Sequence, residues 1–446
     1  MVTELVKSEN QYLTAFSRVR ELGPTVPWLE LVRSGAIDRF EQLGFPTVRD
    51  EEWKYTNLAA LAKENFQPAV PQADAALPNF ERFAYPETTG AHLVVVNGFL
   101  REDLSTKVGL DDVVAIDLFN AVADARYNKV ARKYLARNAN YHDNGVKALN
   151  TAFVQSGVFL LIPKNVKLET PLQITFVSDT TVAPTEQKRA SFPRLLVVAE
   201  ENSSATLIEN FVSNGDESHF TNAIAEIVVK DGARLEHYRL QNENRKVYHI
   251  ATTAAELGRA SSYDATSINF GAHLARHDIS VVMDHEGAEC WVDGLYVGGA
   301  NQHTDTHSVI DHKQPYCTSH QLYKGILDGN ARAVFNGKVF VREGAQKTDA
   351  MQTNKNLLLS PQARVDTKPQ LEIYADDVKC AHGAAVGQID EEELFYLQAR
   401  GLNPALSRSL LTYGFAEEVI GKIKIDSIRS QLDEAVLTHL HTRLEA

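Results

Sequence analysis

Apolar side chains at the start of the chain recur every three or four residues, which is the spacing of amphipathic helices. The first predicted helix ends at Gly23-Pro24, and the second begins near Pro27 and ends before Gly44 and Pro46. Their apolar stripes are Val2, Leu5, Val6, Tyr12, Leu13, Phe16 and Val19 in the first and Trp28, Leu31, Val32, Ile37, Phe40 and Leu43 in the second. Each stripe predicts a helix that packs one face against the body of the protein.

The stretch after these helices mixes a connector, a strand and a further helix. Four prolines between residues 67 and 90 indicate an extended connector. The apolar run His92–Val96, followed by the turn Asn97-Gly98, predicts a short buried strand. A helix is predicted from about Asp117 to Arg137. Residues 1–148 are therefore expected to form a mostly helical N-terminal region.

Residues 149–388 change to short runs of Val, Ile, Thr, Tyr and Phe separated by Gly, Asn and Asp, which is typical of strands and turns. A short pattern repeats there: one or two turn residues, an alanine, and then a strand. Its alanines, spaced by 28, 27 and 28 residues, are Ala205, Ala233, Ala260 and Ala288, and weaker copies follow at Ala331 and Ala363. A near-constant period in the twenties suggests a solenoid whose coils stack on one another.

A β-helix is the architecture that this period favours, so the expected fold class is mainly β with helical ends. Gln352, Asn354 and Asn356 alternate along one predicted strand and share a face, which suits amide side chains stacked between coils. An antiparallel sandwich with regularly spaced hairpins also fits a repeat of four good copies, and it stays open at this point.

Residues 389–446 return to helical patterning. Asp390 and the three glutamates after it suit the first turn of a helix that ends at Gly401. Asn403-Pro404 is a cap and first turn for the next helix, which is expected to end near Gly414. The last apolar stripe consists of Ile425, Ile428, Leu432, Val436, Leu440 and Leu444. It predicts either docking on the body of the protein or a surface for a partner.

Charge and cysteine content narrow the function classes. The chain has 45 Lys and Arg against 58 Asp and Glu, a formal charge of −13, whereas a nucleic-acid binder needs a positive face. Three cysteines cannot close a disulfide framework, and they point to a reducing compartment. The first 25 residues hold no apolar signal-peptide core, and no apolar run approaches the ~20 residues of a membrane span. We therefore expect a cytoplasmic protein without nucleic-acid or membrane partners.

A cluster of metal-binding residue types lies between residues 301 and 320. The usual short enzyme motifs are missing from the sequence, which has no Walker-type phosphate loop, no G-x-S-x-G elbow and no H-E-x-x-H zinc motif. The cluster consists of His303, Asp305, His307, Asp311, His312, Cys317 and His320. His303, Asp305 and His307 would share one strand face and could hold zinc or iron. The signal for a metal site is weak, because surface histidines are common and the chain has 15 histidines.

A second cluster surrounds Cys380. If its segment is a strand, Val378, Cys380 and His382 point the same way, and a thiolate and an imidazole so placed can ligate iron or an iron–sulfur species. Lys379 is expected to lower the pKa of the thiol modestly. Taken alone, the C-x-H spacing has as its default interpretation a buried, inert cysteine beside a hydrogen-bonded histidine. Cys290 and Cys317, 27 residues apart, are expected on neighbouring coils, where they pack.

Several longer stretches resemble the SufB/SufD family, whose members are scaffold subunits of the SUF iron–sulfur cluster assembly machinery. They are E-E-W-K-Y-T-N-L at 51–58, Y-K-G-I-L at 323–327, Q-T-N-K-N-L-L-L-S at 352–360, P-Q-L-E-I-Y-A-D-D-V-K-C-A-H-G at 369–383 and L-F-Y-L-Q-A-R-G at 394–401. The E-E-W-K-Y-T run and the C-x-H-G segment are of the SufD type within that family. The stretches span nearly the whole chain.

The resemblance implies a right-handed parallel β-helix with helical ends and a non-enzymatic scaffold role. It implies pairing with a SufB-type subunit and docking of a SufC-type ATPase on the C-terminal helical region, 389–446, so that the nucleotide binds to the partner. Cys380 and His382 fall on the family's cysteine and histidine at the subunit interface, where iron or a transient cluster is thought to assemble. Ala381 and Ala385 stand where the family often has serine and threonine.

Two other function classes fit parts of the pattern. A β-helix enzyme acting on polysaccharide would share the period and would use surface carboxylates. A stand-alone metal hydrolase would use the cluster from His303 to His320.

Overall fold

The computed structural model describes residues 2–20, 26–71, 80–181 and 188–441, with side chains for 11–20, 26–71, 80–181 and 188–437. The N-terminal region begins with three helices, α1 (Val2–Arg20), α2 (Pro27–Leu43) and α3 (Ala59–Lys63). Short strands follow, β1 (Gln67–Pro68), β2 (Ala91–Val96), β3 (Phe99–Leu100), β4 (Thr106–Lys107) and β5 (Val114–Asp117). The region closes with α4 (Leu118–Ala123), α5 (Asn128–Tyr134) and α6 (Gly145–Ala152), and single 3₁₀ turns lie at Glu51–Trp53, Glu81–Phe83, Pro86–Thr88 and Glu102–Leu104.

The strands of the central region are β6 (Val158–Ile162), β7 (Leu172–Asp179), β8 (Arg189–Ser191), β9 (Arg194–Ala199), β10 (Ser204–Asn214), β11 (His219–Val229), β12 (Arg234–Asn242), β13 (Tyr248–Leu257), β14 (Ser262–Asn269), β15 (Leu274–Met283), β16 (Glu289–Gly298), β17 (His303–His312), β18 (Thr318–Leu327), β19 (Arg332–Val341), β20 (Asp349–Leu358), β21 (Arg364–Ile373) and β22 (Lys379–Gly387). The chain ends with α7 (Glu391–Ala399), α8 (Pro404–Ile420) and α9 (Asp426–His441).

Successive central strands alternate between two long sheets. Sheet A has the order β21-β19-β17-β15-β13-β11-β9-β6-β5, and sheet B has the order β22-β20-β18-β16-β14-β12-β10-β7-β2-β3. Neighbouring strands in these two orders are parallel, with two exceptions. The β2–β3 and β5–β6 pairs, which involve N-terminal strands, are antiparallel. The fold is therefore a parallel β-helix, as predicted, and the antiparallel sandwich is excluded.

The repeat in the sequence corresponds to one corner of the coil, where the chain passes from sheet A to sheet B. Each corner has a residue with positive φ followed by a small buried residue, and the successive pairs are Asn202-Ser203, Gly232-Ala233, Ala260-Ser261, Gly287-Ala288, Tyr316-Cys317 and Lys347-Thr348. The backbone N–H at the first position donates to the next coil, as from Gly232 to the Arg259 carbonyl at 2.8 Å. The small residue is required because the corner leaves no room inside for a larger side chain.

Part of the repeat was wrongly aligned by the sequence pattern. Ala331 and Ala363 lie at the opposite corner, before strands of sheet A, which explains why the spacing from Ala288 to Ala331 was 43 residues rather than one coil. Ala205 lies two positions after the small-residue column, and Ala260 lies one position before it. The period is real, because paired strands of sheet B start 27 to 31 residues apart.

Polar side chains line part of the space between the two sheets. Gln352, Asn354 and Asn356 all point inward, and Gln352 donates through Nε2 to Gln321 Oε1 at 2.7 Å on the neighbouring strand. Asn354 donates to the Tyr296 hydroxyl, and that hydroxyl donates to Asn356. The predicted amide face is confirmed, although its partners are mainly tyrosines and a glutamine rather than identical amides.

Two helix predictions were wrong in their bounds. The expected helix from Asp117 to Arg137 is divided into α4 and α5, because the Asp124 carboxylate accepts from the Arg126 N–H at 2.8 Å and forms a local turn instead. Helix α8 does not end near Gly414 but continues to Ile420. Its last turns bury Ala416, Val419 and Ile420 on sheet B, which offsets the ~1 kcal/mol that a mid-helix glycine costs.

The N-terminal region is less helical than expected, because β2 and β5 extend the two sheets. The predicted bounds of α2 are confirmed, since it spans Pro27–Leu43 and ends at Gly44 with φ +61°. Tyr12, Phe16 and Val19 of α1 are buried, whereas its predicted end at Gly23-Pro24 lies outside the described residues. The expected contacts of Val2, Leu5 and Val6 lie outside the described side chains.

Candidate functional site at the open end of the β-helix

Strand β22 is the last strand of sheet B, and it carries the predicted site. It pairs with β20 on one side, and no described strand pairs with its other side. In this register Cys380 lies beside Ala350 and His382 lies beside Gln352. Eight of its nine residues are exposed, and Cys380 is half-buried. An edge of this kind leaves backbone N–H and C=O groups free to pair with another strand.

Cys380 and His382 lie on the inner side of this strand, as predicted from their spacing. Val378 and Cys380 pack against the apolar interior of the last coil, and Gln352, the neighbour of His382, points inward. His382 is exposed because no further coil covers it. The structure therefore brings the thiol and the imidazole to the mouth of the space between the sheets.

Burial raises the pKa of the Cys380 thiol, and the Asp349 carboxylate raises it further. The expected lowering by Lys379 was wrong, because the backbone alternation turns this lysine to the outer, exposed side of the strand. Cys380 in this chain alone is thus a thiol at neutral pH. A metal ion or a basic group supplied from outside would have to remove its proton before it could act as a ligand.

Within the described ranges, no group of three or more His, Cys, Asp or Glu side chains could hold a metal ion. Cys380 and His382 supply two donors at most, whereas iron and zinc sites in proteins ordinarily use three or four. The pair is therefore half of a ligand set.

The two other cysteines lie inside the β-helix. Cys290 is on β16, in the same inward column of the ladder as Cys380, with Ser319 and Ala350 between them. Cys317 occupies the small-residue position of the corner before β18. They are on neighbouring coils as expected, and burial raises the pKa of both thiols. Their environment is that of packing residues.

The cluster from His303 to His320 is not one site. His303, Asp305 and His307 do share the outer face of β17, but His312 points inward and bonds Ser319, and His320 stacks on Trp291 in sheet B. The Asp305 carboxylate accepts from Arg276 Nη1 at 2.6 Å and from the Thr56 hydroxyl at 2.5 Å. The metal-site hypothesis for this cluster was wrong, because a buried arginine holds the carboxylate that a metal would need.

The partners of this face come from residues 51–56, a segment that we call the clasp. The Arg276 guanidinium carbon lies 3.7 Å from the ring centroid of Trp53, which is buried. The Thr56 hydroxyl lies 2.8 Å from His303 Nε2, in addition to its bond with Asp305. The E-E-W-K-Y-T run thus fastens the N-terminal region to the outer face of sheet A.

The acidic residues of the clasp reach towards the last coil. Glu52 contacts His307 Nδ1 at 3.3 Å and Lys338 Nζ at 2.6 Å, and Glu51 contacts Lys368 Nζ of β21 at 2.8 Å. The hydrogen bond from His307 lowers the pKa of Glu52 to about 2. Burial alone would lower the pKa of His307, but the Asp305 carboxylate and the hydrogen bonds raise it to about 9. His307 is therefore a buried cation at neutral pH.

The basic partners of the clasp were missed from the sequence. Lys338 of β19 and Lys368 of β21 lie on adjacent strands, two register positions apart, because Lys368 pairs with Asn336 and Lys338 pairs with Gln370. The sequence did contain a signal for these contacts. Two lysines lie about one coil period apart, and an acidic pair elsewhere in the chain could bind them.

The C-terminal helices differ in burial. Ile425, Ile428, Leu432 and Val436 pack on sheet B, so the predicted stripe is a docking face, whereas Leu440 and Leu444 lie outside the described side chains. Helix α7 buries none of its residues, and Phe395 is 72% exposed. The large apolar side chains exposed on α7 and the first half of α8, which mark a surface suited to a partner, are Phe395, Tyr396, Leu406 and Leu410.

Comparison with known proteins covers nearly the whole chain. Residues 181–415 match the family model described as SUF system FeS cluster assembly, SufBD core domain, and residues 6–174 match the SufBD protein N-terminal region. A SufBD family iron–sulfur cluster assembly protein of Synechocystis is 35% identical over 91% of this chain and 89% of its own length. The iron–sulfur cluster assembly proteins SufD of Escherichia coli (31%; 89% of each chain) and Bacillus subtilis (28%; 95% of this chain and 96% of its own) confirm the SufD-type resemblance. None of the helices in the described ranges is both long and apolar enough to cross a membrane.

Proposed function

The chain belongs to the SufBD family of the SUF iron–sulfur cluster assembly system, and from this premise we propose that it is a non-enzymatic scaffold subunit. It pairs with a SufB-type subunit and contributes Cys380 and His382 to a shared site for iron or a nascent cluster. A SufC-type ATPase docks on the C-terminal helices and shifts the scaffold pair when it hydrolyses ATP. The complex works in the cytoplasm.

The observation that carries this proposal is the half-complete ligand pair on an open strand. Cys380 and His382 lie on the inner side of β22, whose outer edge meets no described strand. A strand of a second subunit added at this edge would pair with free backbone groups and bring its own donors beside the two residues. The low number of cysteines in the chain fits such a shared site better than a four-cysteine cluster within one subunit.

The ATPase surface is assigned to α7 and the start of α8. These helices expose Phe395, Tyr396, Leu406 and Leu410, and large aromatic side chains are typical interface anchors. The last helix is held by its buried stripe, so this surface stays attached to sheet B when a partner moves.

The central test uses Cys380→Ala, His382→Ala and the double variant in a strain that depends on this system, with Lys379→Ala as the control. Lys379 lies in the same strand, is exposed and points to the opposite side. We expect the double variant to lose cluster delivery and iron and sulfide in the purified complex, while the control retains both. Normal delivery by the double variant would remove the site assignment.

The two partner surfaces are tested separately by co-purification. Ala384→Lys places a charge on the inner side of the edge strand and is expected to remove the SufB-type subunit but not the ATPase. Phe395→Ala with Tyr396→Ala is expected to remove the ATPase alone. Leu31→Ala, a matched change at a side chain that is 77% exposed on α2, is expected to remove neither. Loss of both partners in every variant would contradict the assignment of two surfaces.

The alternatives from the sequence have lost their support. The polysaccharide-acting enzyme rested on the coil period alone, which the SufBD family shares. The metal hydrolase rested on His303, Asp305 and His307, which instead hold the clasp.

A further inference from the structure

A group of basic side chains on and after α5 stands apart from the rest of this acidic protein. Residues 125–142 contain five basic residues and no acidic one, although the whole chain has a formal charge of −13. The five, which we call the basic patch, are Arg126, Lys129, Arg132, Lys133 and Arg137. Neither the proposed cluster site nor the proposed partner surfaces include them.

The amphipathic pattern of α5 directs these charges outward. Ala131, Tyr134 and Leu135 are buried against sheet A. The basic residues fall on the opposite face, at three- and four-residue spacing, and all five are exposed. Packing therefore presents them together as one positive surface.

The chain after α5 is held rigidly, which fixes the far end of the patch. The buried Glu226 carboxylate accepts from the backbone N–H groups of Ala136 at 2.9 Å, Arg137 at 3.0 Å and Ala139 at 3.2 Å. The same carboxylate pairs with Arg194, and both side chains are fully buried. Arg137 thus projects from a backbone whose position is set by sheet A, so little ordering is needed when a partner binds.

Most of the patch has no acidic neighbour. Arg126 pairs with Asp124, but Lys129, Arg132, Lys133 and Arg137 form no ion pair with any residue in the described ranges. Surface cations elsewhere in this protein are commonly paired, as Arg259 is with Glu286 and Lys313 with Asp284. Four unpaired cations on one fixed face raise the local positive potential and attract a partner of opposite charge.

We propose that the basic patch is a docking site for an acidic segment of a partner protein. The patch is short, on the order of 15 Å along the helix and the turn after it. An extended polyphosphate such as duplex DNA, or a membrane surface, would continue beyond it onto the surface of a chain whose formal charge is −13. A compact acidic helix or loop matches the patch in size and charge without that repulsion.

The test measures binding of a fluorescent oligoglutamate peptide to the full chain by anisotropy, between about 50 mM and about 200 mM salt. The patch variant is Lys129→Glu/Arg132→Glu/Arg137→Glu. The matched control, Lys63→Glu/Arg234→Glu/Arg364→Glu, changes net charge equally at exposed residues that form no ion pair in the described ranges. Circular dichroism of both variants checks that the fold is unchanged. Parallel titrations use duplex DNA and vesicles containing phosphatidylserine.

We expect the patch variant to bind the peptide at least about tenfold more weakly than the wild-type chain at low salt, and the control to stay within about twofold. No binding of the peptide by the wild-type chain at low salt would overturn the proposal, and so would an equal loss in both variants. Tighter binding of DNA or of vesicles than of the peptide, lost in the patch variant, would overturn the assignment of a protein partner.

Discussion

The two ends of the β-helix are built in opposite ways. At the closed end, which comprises β6 to β11 and the N-terminal region, strands β7, β9 and β11 are buried along their whole length. At the open end, which comprises β21 and β22, the last strand is almost entirely exposed. Both ends use the same coil and the same ladder of hydrogen bonds, so the difference comes from what covers them.

The comparison indicates that the closed end contributes most to stability, whereas the open end leaves polar groups exposed for binding. The closed end buries charged residues next to groups of opposite charge or polar groups, as Arg194 with Glu226 and Asn150. The open end leaves strand-edge backbone groups, a thiol and an imidazole without a covering strand from the described part of the chain. A solenoid needs a cap or a partner at each end, because terminal coils otherwise expose an edge. The open end is therefore the place where the proposed partner subunit would add its strand.

The largest effect is expected from breaking the closed end. Glu226→Ala leaves Arg194 buried without its counter-ion and three backbone N–H groups without an acceptor, so it should lower the free energy of unfolding by about 3–5 kcal/mol. Urea denaturation measures this. Lys379→Ala at the open end is the control and should change stability by less than about 0.5 kcal/mol. A loss below about 1 kcal/mol for Glu226→Ala would show that the closed end does not carry the stability.

A matched pair of glycines in sheet B compares the packed interior with the open end. A Cβ added at Gly294 would lie 2.1 Å from the ring of Tyr323, whereas one added at Gly383 would meet nothing within 4 Å. Gly294→Ala should therefore cost about 2–3 kcal/mol through overpacking, and Gly383→Ala should stay within about 0.5 kcal/mol. Thermal and urea unfolding of both variants measure the difference, and similar costs at the two positions would contradict the contrast.

The clasp links the two ends, and its strength should depend on pH. His307 has its pKa raised from 6.5 to about 9, so its contribution is complete below pH 6.5 and is lost as the pH rises through about 9. Glu52 has its pKa lowered from 4.5 to about 2, so its contribution is complete above pH 4.5 and is lost as the pH falls towards 2. The stability difference between the wild-type chain and His307→Gln should be on the order of 1–2 kcal/mol near pH 6 and should shrink towards pH 9.

Urea denaturation at several pH values measures this difference. Phe395→Ala, which removes an exposed side chain without a titratable group, is the control and should give no such pH dependence. A constant difference between pH 6 and 9 would mean that His307 does not act as a buried cation.

Much of the fold was predictable because it repeats. The coil period, the helical ends and the inward amide face all follow from residues a few positions apart, whose side-chain directions are set by strand and helix geometry. The same reasoning placed Cys380 and His382 on one side of a strand. It failed for Gly414, where burial of the following turn on sheet B outweighed a local stop signal.

The candidate site was predictable only in part. The sequence indicated the pair, but it did not show that burial would raise the pKa of Cys380 or that Lys379 would point away. These properties depend on which residues of the preceding coil lie beneath the strand. The clasp was harder still, because its contacts join residues more than 200 positions apart, such as Glu52 and Arg276.

The sequence by itself determined the repeating coil, the amphipathic ends and the family to which the chain belongs, since these are written in local spacing and composition. Tertiary structure alone decided which end of the solenoid is open, which charges are paired and which histidines stay apart. The physical reason is that burial and ion pairing depend on distances in space, and stacking of coils brings together residues whose separation along the chain carries no local signal.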